Sequence, residues 1–185
     1  CISPGLRNTI LSLSFIKHGK FNCYSIIDER SAGYFALGMA LKTNTPSILI
    51  CTSGTAVANY FPAIIESSQS RIPLIIISAD RPINLLNTGE NQTINQEGIY
   101  GNFVRSSIDI NNYSSALDDI KDSLKFVIKN DDKCIIGPIH YNIHLDDFKE
   151  FNTTIKHNKS SRYDKHQFNN SSEFNWGKIP YQDIF

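Results

Sequence analysis

Short, strongly apolar runs alternate with longer helical patterns through the first two thirds of the sequence. Ser47–Cys51 and residues 73–78 are rich in isoleucine and leucine, and neither shows the regular polar positions of a half-exposed strand. Such runs are typical of strands that are buried on both faces of a parallel sheet, whose crossover connections are helices. We therefore expect an α/β fold of three layers, with a mostly parallel sheet and helices on both faces.

Further elements follow from the same periodicity. The pattern predicts strands over residues 22–27, 103–110 and 139–145, and helices over 29–42, 56–67 and 114–129. Asp28 is a good N-cap for the first helix, because its side chain can accept a hydrogen bond from a free backbone N–H. Residues 85–101 show little periodicity, and these 17 residues exceed an ordinary connection, which favours a functional loop.

The composition changes near residue 150. Residues 1–150 carry all of these elements and have the length of one ordinary domain. Residues 151–185 are rich in Asn, Ser, Lys and His, and we expect a linker or the start of a following domain there. The chain starts at Cys1 with no lead-in to its first element. We therefore expect that the first strand begins upstream and that the chain is a fragment, inactive alone.

Charge and cysteine content exclude several classes of function. The 18 basic and 18 acidic residues give no net charge, so nucleic acid is not an expected partner. No apolar run approaches the roughly 20 residues of a membrane span. The four cysteines form no C-x-x-C pair, which argues against a zinc site and a disulfide framework. We expect a cytoplasmic protein whose partners are small molecules.

Candidate site residues follow the predicted strands, because ligands of open parallel sheets bind beyond the carboxyl ends of the strands. Glu29 lies in the first turn of a helix, where it either stabilises the helix dipole or has a functional role. Arg7 and Arg81 are suited to bidentate binding of a carboxylate. Alternatively, they form structural ion pairs with Asp28 and Asp80.

Other motifs argue against familiar chemistries. Ser53 follows a strand, as the serine of a nucleophile elbow does, but the G-x-S-x-G pattern is absent and a hydrolase is not favoured. The turn at Gly54 lacks the glycine patterns that bind dinucleotides or nucleoside triphosphates. His140 and His144 alternate with apolar residues on the last predicted strand, and we interpret them as side chains of the strand face rather than as metal ligands. We expect no metal site in this chain.

Six segments resemble a known family and follow its order along the chain. They are SPGLRNT (3–9), DERSAGYFALGMA (28–40), CTSGTAVANYFPAIIES (51–67), RIPLIIISADRP (71–82), NQTINQ (91–96) and GPIHYNI (137–143). Together they resemble the pyrimidine-binding domain of thiamine diphosphate enzymes, in the branch that acts in menaquinone biosynthesis. The resemblance covers nearly all of residues 1–150. Leu6 departs from it, because the family commonly has Ser at this position.

The resemblance implies specific roles for residues at the strand ends. Glu29 would bond to the pyrimidine ring of the cofactor and promote the tautomer that takes up the thiazolium proton, which makes it both a catalytic and a cofactor-binding residue. The other implied positions are Thr52, Ser53 and Gly54 against the pyrimidine ring, and Arg7, Arg81, Asn91 and Gln92 on the substrate side.

The same resemblance implies an activity, its cofactors and its partners. It implies decarboxylation of 2-oxoglutarate and addition of the resulting carbanion to isochorismate. The cofactors would be thiamine diphosphate and Mg²⁺ or Mn²⁺, with the metal held by a diphosphate domain whose G-D-G…N segment does not occur in these 185 residues. A homo-oligomer, dimer or dimer of dimers, would complete the site. The alternatives are an acetolactate-synthase-like enzyme and a non-catalytic α/β binding module.

Overall fold

The computed structural model describes residues 1–128 and 134–145. Its four strands are β1 (Ser47–Cys51), β2 (Leu74–Asp80), β3 (Ser106–Ile110) and β4 (Ile139–His144). The helices are α1 (Thr9–His18), α2 (Glu29–Thr43), α3 (Thr55–Asn59), α4 (Phe61–Ser70), α5 (Tyr113–Ser123) and α6 (Lys125–Ile128), with 3₁₀ turns at Ile83–Leu85 and Gly101–Phe103. None of the described helices is long and apolar enough to cross a membrane.

The four strands form one parallel sheet in the order β1-β2-β4-β3. Next to the edge strand β1, Ile2 forms parallel bridges with both Ile50 of β1 and Ser25, so the pairing extends past β1 by two short segments. Every strand enters from the same end, and the turns that follow the strands therefore lie at one edge. We call this end of the sheet the carboxyl edge. It includes Ser25 and the residues that follow β1, β2 and β4.

Helices cover both faces of the sheet, as the sequence predicts. On one face, α2, α3 and α4 pack on Leu49 and Ile76. On the other face, α5, α6 and the apolar side of α1 pack on Ile50, Ile77 and Ile139. The two buried clusters explain why β1 and β2 are apolar on both sides, and the three-layer α/β architecture is confirmed.

The prediction of a strand over residues 22–27 is wrong in length. Only Ser25 forms a bridge, although the flanking backbone is hydrogen-bonded: the Ile2 N–H donates to the Tyr24 carbonyl at 2.8 Å and the Ile26 N–H donates to the Ile2 carbonyl at 3.0 Å. Because Ile2 alone faces this segment, the ladder stops after one residue. The position of Glu29 just beyond it is unaffected.

Two predicted helices are each divided in two. The helix predicted over 56–67 breaks at Tyr60 between α3 and α4. Pro62 explains the break, because proline has no N–H to donate to the carbonyl four residues earlier. The second predicted helix, over 114–129, is interrupted at Leu124, and its residue 129 lies outside the described residues, as does the segment 151–185. The periodicity of this segment predicts an apolar helix face with Leu117, Ile120 and Leu124, but Leu117 is 55% exposed.

The segment at 85–101 is anchored to the domain rather than free of it. The strand predicted over 103–110 begins only at Ser106, because Gly101–Phe103 forms a 3₁₀ turn. Tyr100 is fully buried, and its hydroxyl donates to the Val57 carbonyl at 2.7 Å. Gln96 is 1% exposed. The loop therefore reaches over the carboxyl edge with two side chains fixed beneath it.

Candidate functional site

Glu29 is positioned by the start of α2. Asp28 has an extended backbone and its carboxylate accepts a hydrogen bond from the Ser31 N–H at 2.7 Å, which confirms the predicted N-cap. That hydrogen bond lowers the pKa of Asp28. The Glu29 side chain is half-buried, and its Oε2 accepts a hydrogen bond from the Asn59 amide at 3.3 Å. Glu29 thus projects from the first turn of one helix toward the end of the next.

Buried, uncharged groups lie below the Glu29 carboxylate. Burial raises the pKa of the Cys51 thiol, and the negative charge of Glu29 raises it further. Burial also raises the pKa of Tyr60, whose hydroxyl lies 3.1 Å from both Ser3 Oγ and the Ile50 carbonyl. Both groups therefore stay protonated. A neutral thiol is a poor nucleophile, so these residues form an apolar wall and not a reactive pair.

The turn after β1 is small, buried and tightly packed. Thr52, Ser53 and Gly54 are all buried. The Gly54 N–H donates to Gln96 Oε1 at 2.8 Å. A side chain at Gly5 would place its Cβ 2.5 Å from that of Thr52, so the first segment of the chain needs glycine to approach this turn. The turn presents little side-chain bulk, which allows a flat ring to lie against its backbone.

Four of the predicted site positions come together beside this turn. The Arg81 guanidinium lies 3.5 Å from Ser53 Oγ through one nitrogen and donates to the Asn91 carbonyl through another. The Gln92 amide donates to the Ser53 carbonyl at 2.9 Å. The structure therefore joins residues that are separated by up to 39 positions in the sequence. Glu29 and Thr52 lie on other parts of the same edge.

Arg7 lies at a different point of the carboxyl edge. It donates from Nη1 to the Leu145 carbonyl at 3.0 Å, just after β4. The alternative that the two arginines pair with Asp28 and Asp80 is wrong: all four residues are described, and Arg81 forms no ion pair with Asp80, nor Arg7 with Asp28. The Asp80 carboxylate instead accepts from the backbone N–H of Arg81 at 2.7 Å. Beside Arg7, the Leu6 side chain is 79% exposed.

A buried polar network lies behind the site, and the sequence analysis missed it. His140, Asn142 and His144 occupy alternate positions of β4 and face the side of the sheet that carries α2 and α4. Asn142 makes four hydrogen bonds: its amide donates to Asp80 and Asp109, and its oxygen accepts from Ser78 and Gln96. The donor–acceptor distances are 2.7–2.8 Å. The alternating polar residues of this central strand could have indicated a buried network. Their hydrogen-bond partners, however, lie far away in the sequence.

His140 is an internal, neutral member of this network. The Ser78 hydroxyl donates its proton to Asn142, so it accepts from His140 Nε2 at 2.8 Å. Burial lowers the pKa of His140 to about 3. This histidine therefore stays uncharged at physiological pH. The interpretation of both histidines as strand-face side chains agrees with their contacts, and the described residues contain no cluster able to hold a metal ion.

A small cavity opens between the network and the loop at 85–101. Its volume is about 40 Å³. Gln96 lines it and joins its two sides, because its Nε2 donates to Asn142 Oδ1 at 2.7 Å and to the Ala79 carbonyl at 3.3 Å while its oxygen accepts from Gly54. The acidic and basic side chains around the cavity are Asp80, Glu97, Asp109 and His144.

The contact between Gly54 and the loop predicts an effect on stability. Gly54 has φ +80°, and an added Cβ would lie 2.8 Å from both Cγ and the carbonyl oxygen of Gln92. Gly98 also has a positive φ, +62°, but open space around it, so Gly98→Ala is a control for a positive-φ glycine without a close neighbour. We expect Gly54→Ala to lower the free energy of unfolding by about 2–3 kcal/mol, against about 1 kcal/mol for the control. Equal losses in chemical denaturation would contradict the close contact.

Comparison with known proteins gives a consistent result. Residues 1–99 match the family described as thiamine pyrophosphate enzyme, N-terminal TPP binding domain. The chain is 43% identical over 145 residues to the 2-succinyl-5-enolpyruvyl-6-hydroxy-3-cyclohexene-1-carboxylate synthase of Chlorobium phaeobacteroides (strain BS1), covering 77% of this chain and 25% of that protein. It is 51% identical over 110 residues to the protein of the same name from Roseiflexus castenholzii, covering 60% of this chain and 19% of that protein. The chain therefore spans about a quarter of the length of these relatives, or less.

Proposed function

Since the chain belongs to the thiamine pyrophosphate enzyme family, we propose that it forms the pyrimidine-binding part of a synthase like its relatives. The proposed reaction is the decarboxylation of 2-oxoglutarate followed by addition of the remaining four-carbon unit to isochorismate. The product would be 2-succinyl-5-enolpyruvyl-6-hydroxy-3-cyclohexene-1-carboxylate, the compound after which these relatives are named. The whole protein would be a transferase of menaquinone biosynthesis.

The proposal rests mainly on the surroundings of the Glu29 carboxylate. Within residues 1–128 and 134–145 its one hydrogen bond comes from the neutral Asn59 amide, and no cation pairs with it. A half-buried carboxylate above an apolar wall can accept a hydrogen bond from a protonated ring nitrogen, and its negative charge then stabilises that protonated form. The Glu29 carboxylate is therefore a hydrogen-bond acceptor that fits an aminopyrimidine ring.

Thiamine diphosphate, when bound, supplies the acidic thiazolium carbon that adds to the keto group of a 2-oxo acid. The role proposed for Glu29 is to hold the pyrimidine in the tautomer that accepts the proton from that carbon. Thr52, Ser53 and Gly54 would lie against the ring, and their low bulk supports close approach. The turn also excludes water, because all three residues are buried.

Arg81 and its neighbours are proposed to bind the anionic substrates. Arg81 is held by the Asn91 carbonyl, which leaves the rest of its guanidinium fork for a carboxylate. Gln92, fixed on the Ser53 carbonyl, can donate its remaining amide hydrogen toward the same space. Arg7, bonded to the Leu145 carbonyl, is proposed as a second carboxylate-binding residue. Two arginines suit a pair of substrates that both carry carboxylates.

Other parts of the proposal concern groups outside this chain. We assign Mg²⁺ or Mn²⁺ to a diphosphate domain of the complete protein, since the described residues offer no metal cluster. A second subunit would provide that domain, which makes the protein a homodimer or a dimer of dimers. Residues 1–150 would be the pyrimidine-binding domain and 151–185 a linker or the start of the next domain. The four free cysteines support a cytoplasmic location.

A substrate comparison on the complete protein tests the proposal. With thiamine diphosphate and Mg²⁺ present, we expect release of CO₂ from 2-oxoglutarate and consumption of isochorismate, with little turnover of pyruvate. Condensation of two pyruvate molecules instead would support the acetolactate-synthase-like alternative. No binding of thiamine diphosphate by the complete protein in calorimetry would support the non-catalytic module.

A further inference from the structure

The backbone of Arg81 is held at its N–H and at its carbonyl by ionisable side chains. Its backbone N–H donates to Asp80 Oδ1 at 2.7 Å. Its carbonyl oxygen is bonded to His144 Nδ1. His144 in turn lies 2.7 Å from Asp109 through its other ring nitrogen. The backbone that carries the Arg81 guanidinium is therefore fixed by side chains of β2, β4 and β3.

The contacts of His144 define its protonation state. A carbonyl oxygen only accepts, so Nδ1 must carry the proton of the bond to Arg81. An ionised carboxylate also only accepts, and the two oxygens of Asp109 face His144 Nε2 at 2.7 Å and the Asn142 amide, which donates to it at 2.7 Å. Both nitrogens of His144 therefore donate, which requires the imidazolium form. The neutral ring has a single N–H, which the stronger, charge-assisted bond to Asp109 would keep, so the bond to the Arg81 carbonyl would be lost.

Electrostatics agree with that geometry. Burial alone would lower the pKa of His144, but the hydrogen bonds to the Arg81 carbonyl and to Asp109, together with the charges of Asp109 and Asp80, raise it above 6.5. The bonded pair is partly shielded from solvent, with the His144 side chain 4% exposed and that of Asp109 28% exposed. Among the described residues, the charged groups around His144 are Asp109 of β3, Asp80 of β2, Glu97 of the loop, Arg81, and Arg7 at the adjacent Leu145 carbonyl.

The same contacts connect the two halves of the proposed site. Asp109 accepts from Asn142, Asn142 accepts from Gln96, and Gln96 accepts from the Gly54 N–H. A continuous chain of hydrogen bonds thus runs from the Arg81 carbonyl to the turn proposed to hold the pyrimidine ring. Apart from Asp109, whose side chain is 28% exposed, the members are buried or partly buried, so water competes weakly for most of these bonds.

We propose that His144 is a positioning residue: as the imidazolium between Asp109 and the Arg81 carbonyl, it fixes the backbone from which Arg81 binds a substrate carboxylate. This inference rests on the proposed function of Arg81. His144 does not touch the substrate, and its effect is transmitted through one peptide unit. Loss of the Nδ1 bond therefore weakens substrate binding more than it slows the chemical step.

Two conservative variants of the complete protein separate the bonds of His144. In His144→Asn the side-chain amide can replace Nδ1 and keep the bond to the Arg81 carbonyl, whereas in His144→Gln it replaces Nε2 and keeps the bond to Asp109. We expect His144→Gln to raise KM for 2-oxoglutarate about tenfold, equal to about 1.4 kcal/mol, with kcat within about threefold. His144→Asn should keep KM within about threefold of the wild type.

The pH dependence provides a second test. Because the pKa of His144 is raised, the imidazolium is present at low pH and is lost as pH rises through that pKa. KM of the wild type should therefore rise with pH above about 6.5, and this step should be absent from both variants. Equal KM increases in the two variants, or an unchanged step in either, would overturn the positioning role. If Arg81→Ala itself leaves KM unchanged, the proposed function of Arg81 fails instead.

Discussion

Glu29→Gln in the complete enzyme should lower kcat at least about 100-fold, equal to a barrier higher by about 2.7 kcal/mol. The glutamine amide can still meet the pyrimidine ring and the Asn59 amide, but it carries no negative charge to stabilise the protonated ring nitrogen. In the proposed mechanism, the required tautomer of the pyrimidine would then be disfavoured before each turnover. Steady-state kcat with 2-oxoglutarate and isochorismate measures the effect, and calorimetry measures the affinity for thiamine diphosphate.

Asp28→Asn is the matched control for this experiment. It removes a negative charge one residue earlier, while asparagine keeps the N-cap bond to the Ser31 N–H. We expect kcat of this variant within about twofold of the wild type. A helix-dipole role for Glu29 is worth only about 0.3–1 kcal/mol of stability, which is too little to abolish folding. Activity of Glu29→Gln within about tenfold of the wild type would contradict the catalytic role.

Apolar runs and helix caps in the sequence predict those helices and strands that depend on local interactions or on burial. The run Ser47–Cys51 became β1 with the same bounds, because all its apolar side chains enter one of the two cores. The helix predicted over 29–42 differs from α2 by one residue, since Asp28 supplies a strong start. The parallel sheet followed from these elements, because buried strands that alternate with helices have few other arrangements.

Errors arose where long-range contacts or a single residue outweighed the periodicity. Residues 22–27 have the composition of a strand, but strand length depends on the neighbouring segment, and only Ile2 faces them. Pro62 was visible in the sequence, yet the apolar pattern around it continues through both α3 and α4. The apolar pattern therefore showed which face is buried but concealed the break in the backbone.

The site could be predicted in part for a topological reason. Residues that follow parallel strands share one edge, so Ser53 and Arg81 were expected to be neighbours, and the structure gives them a contact. Periodicity carries no such information for Gln96 and Asn142, which are 46 residues apart and meet through side-chain hydrogen bonds. The partner of Arg7, the Leu145 carbonyl, is 138 residues away. Such pairings require the folded backbone.

Arg81→Ala in the complete enzyme should lower kcat/KM for 2-oxoglutarate about 100-fold, mainly through KM. The variant removes the proposed charge-assisted hydrogen bonds to a substrate carboxylate, each worth about 1.5–3 kcal/mol. The affinity for thiamine diphosphate should stay within about threefold, because the Gly54–Gln96 and Gln92–Ser53 bonds do not involve the Arg81 side chain. Steady-state kinetics and calorimetry measure the two effects separately.

Two further variants distinguish substrate binding from a general loss of structure. Arg81→Lys keeps the charge but not the guanidinium fork, so it should recover part of the lost kcat/KM. Arg105 bonds through its guanidinium to Ser68 at the opposite end of β3, and Arg105→Ala should lower stability while KM stays near the wild-type value. A loss of thiamine diphosphate affinity in Arg81→Ala would transfer Arg81 from the substrate side to the cofactor side. The substrate carboxylate would then have to be bound by Arg7, and Arg7→Ala would carry the larger KM effect.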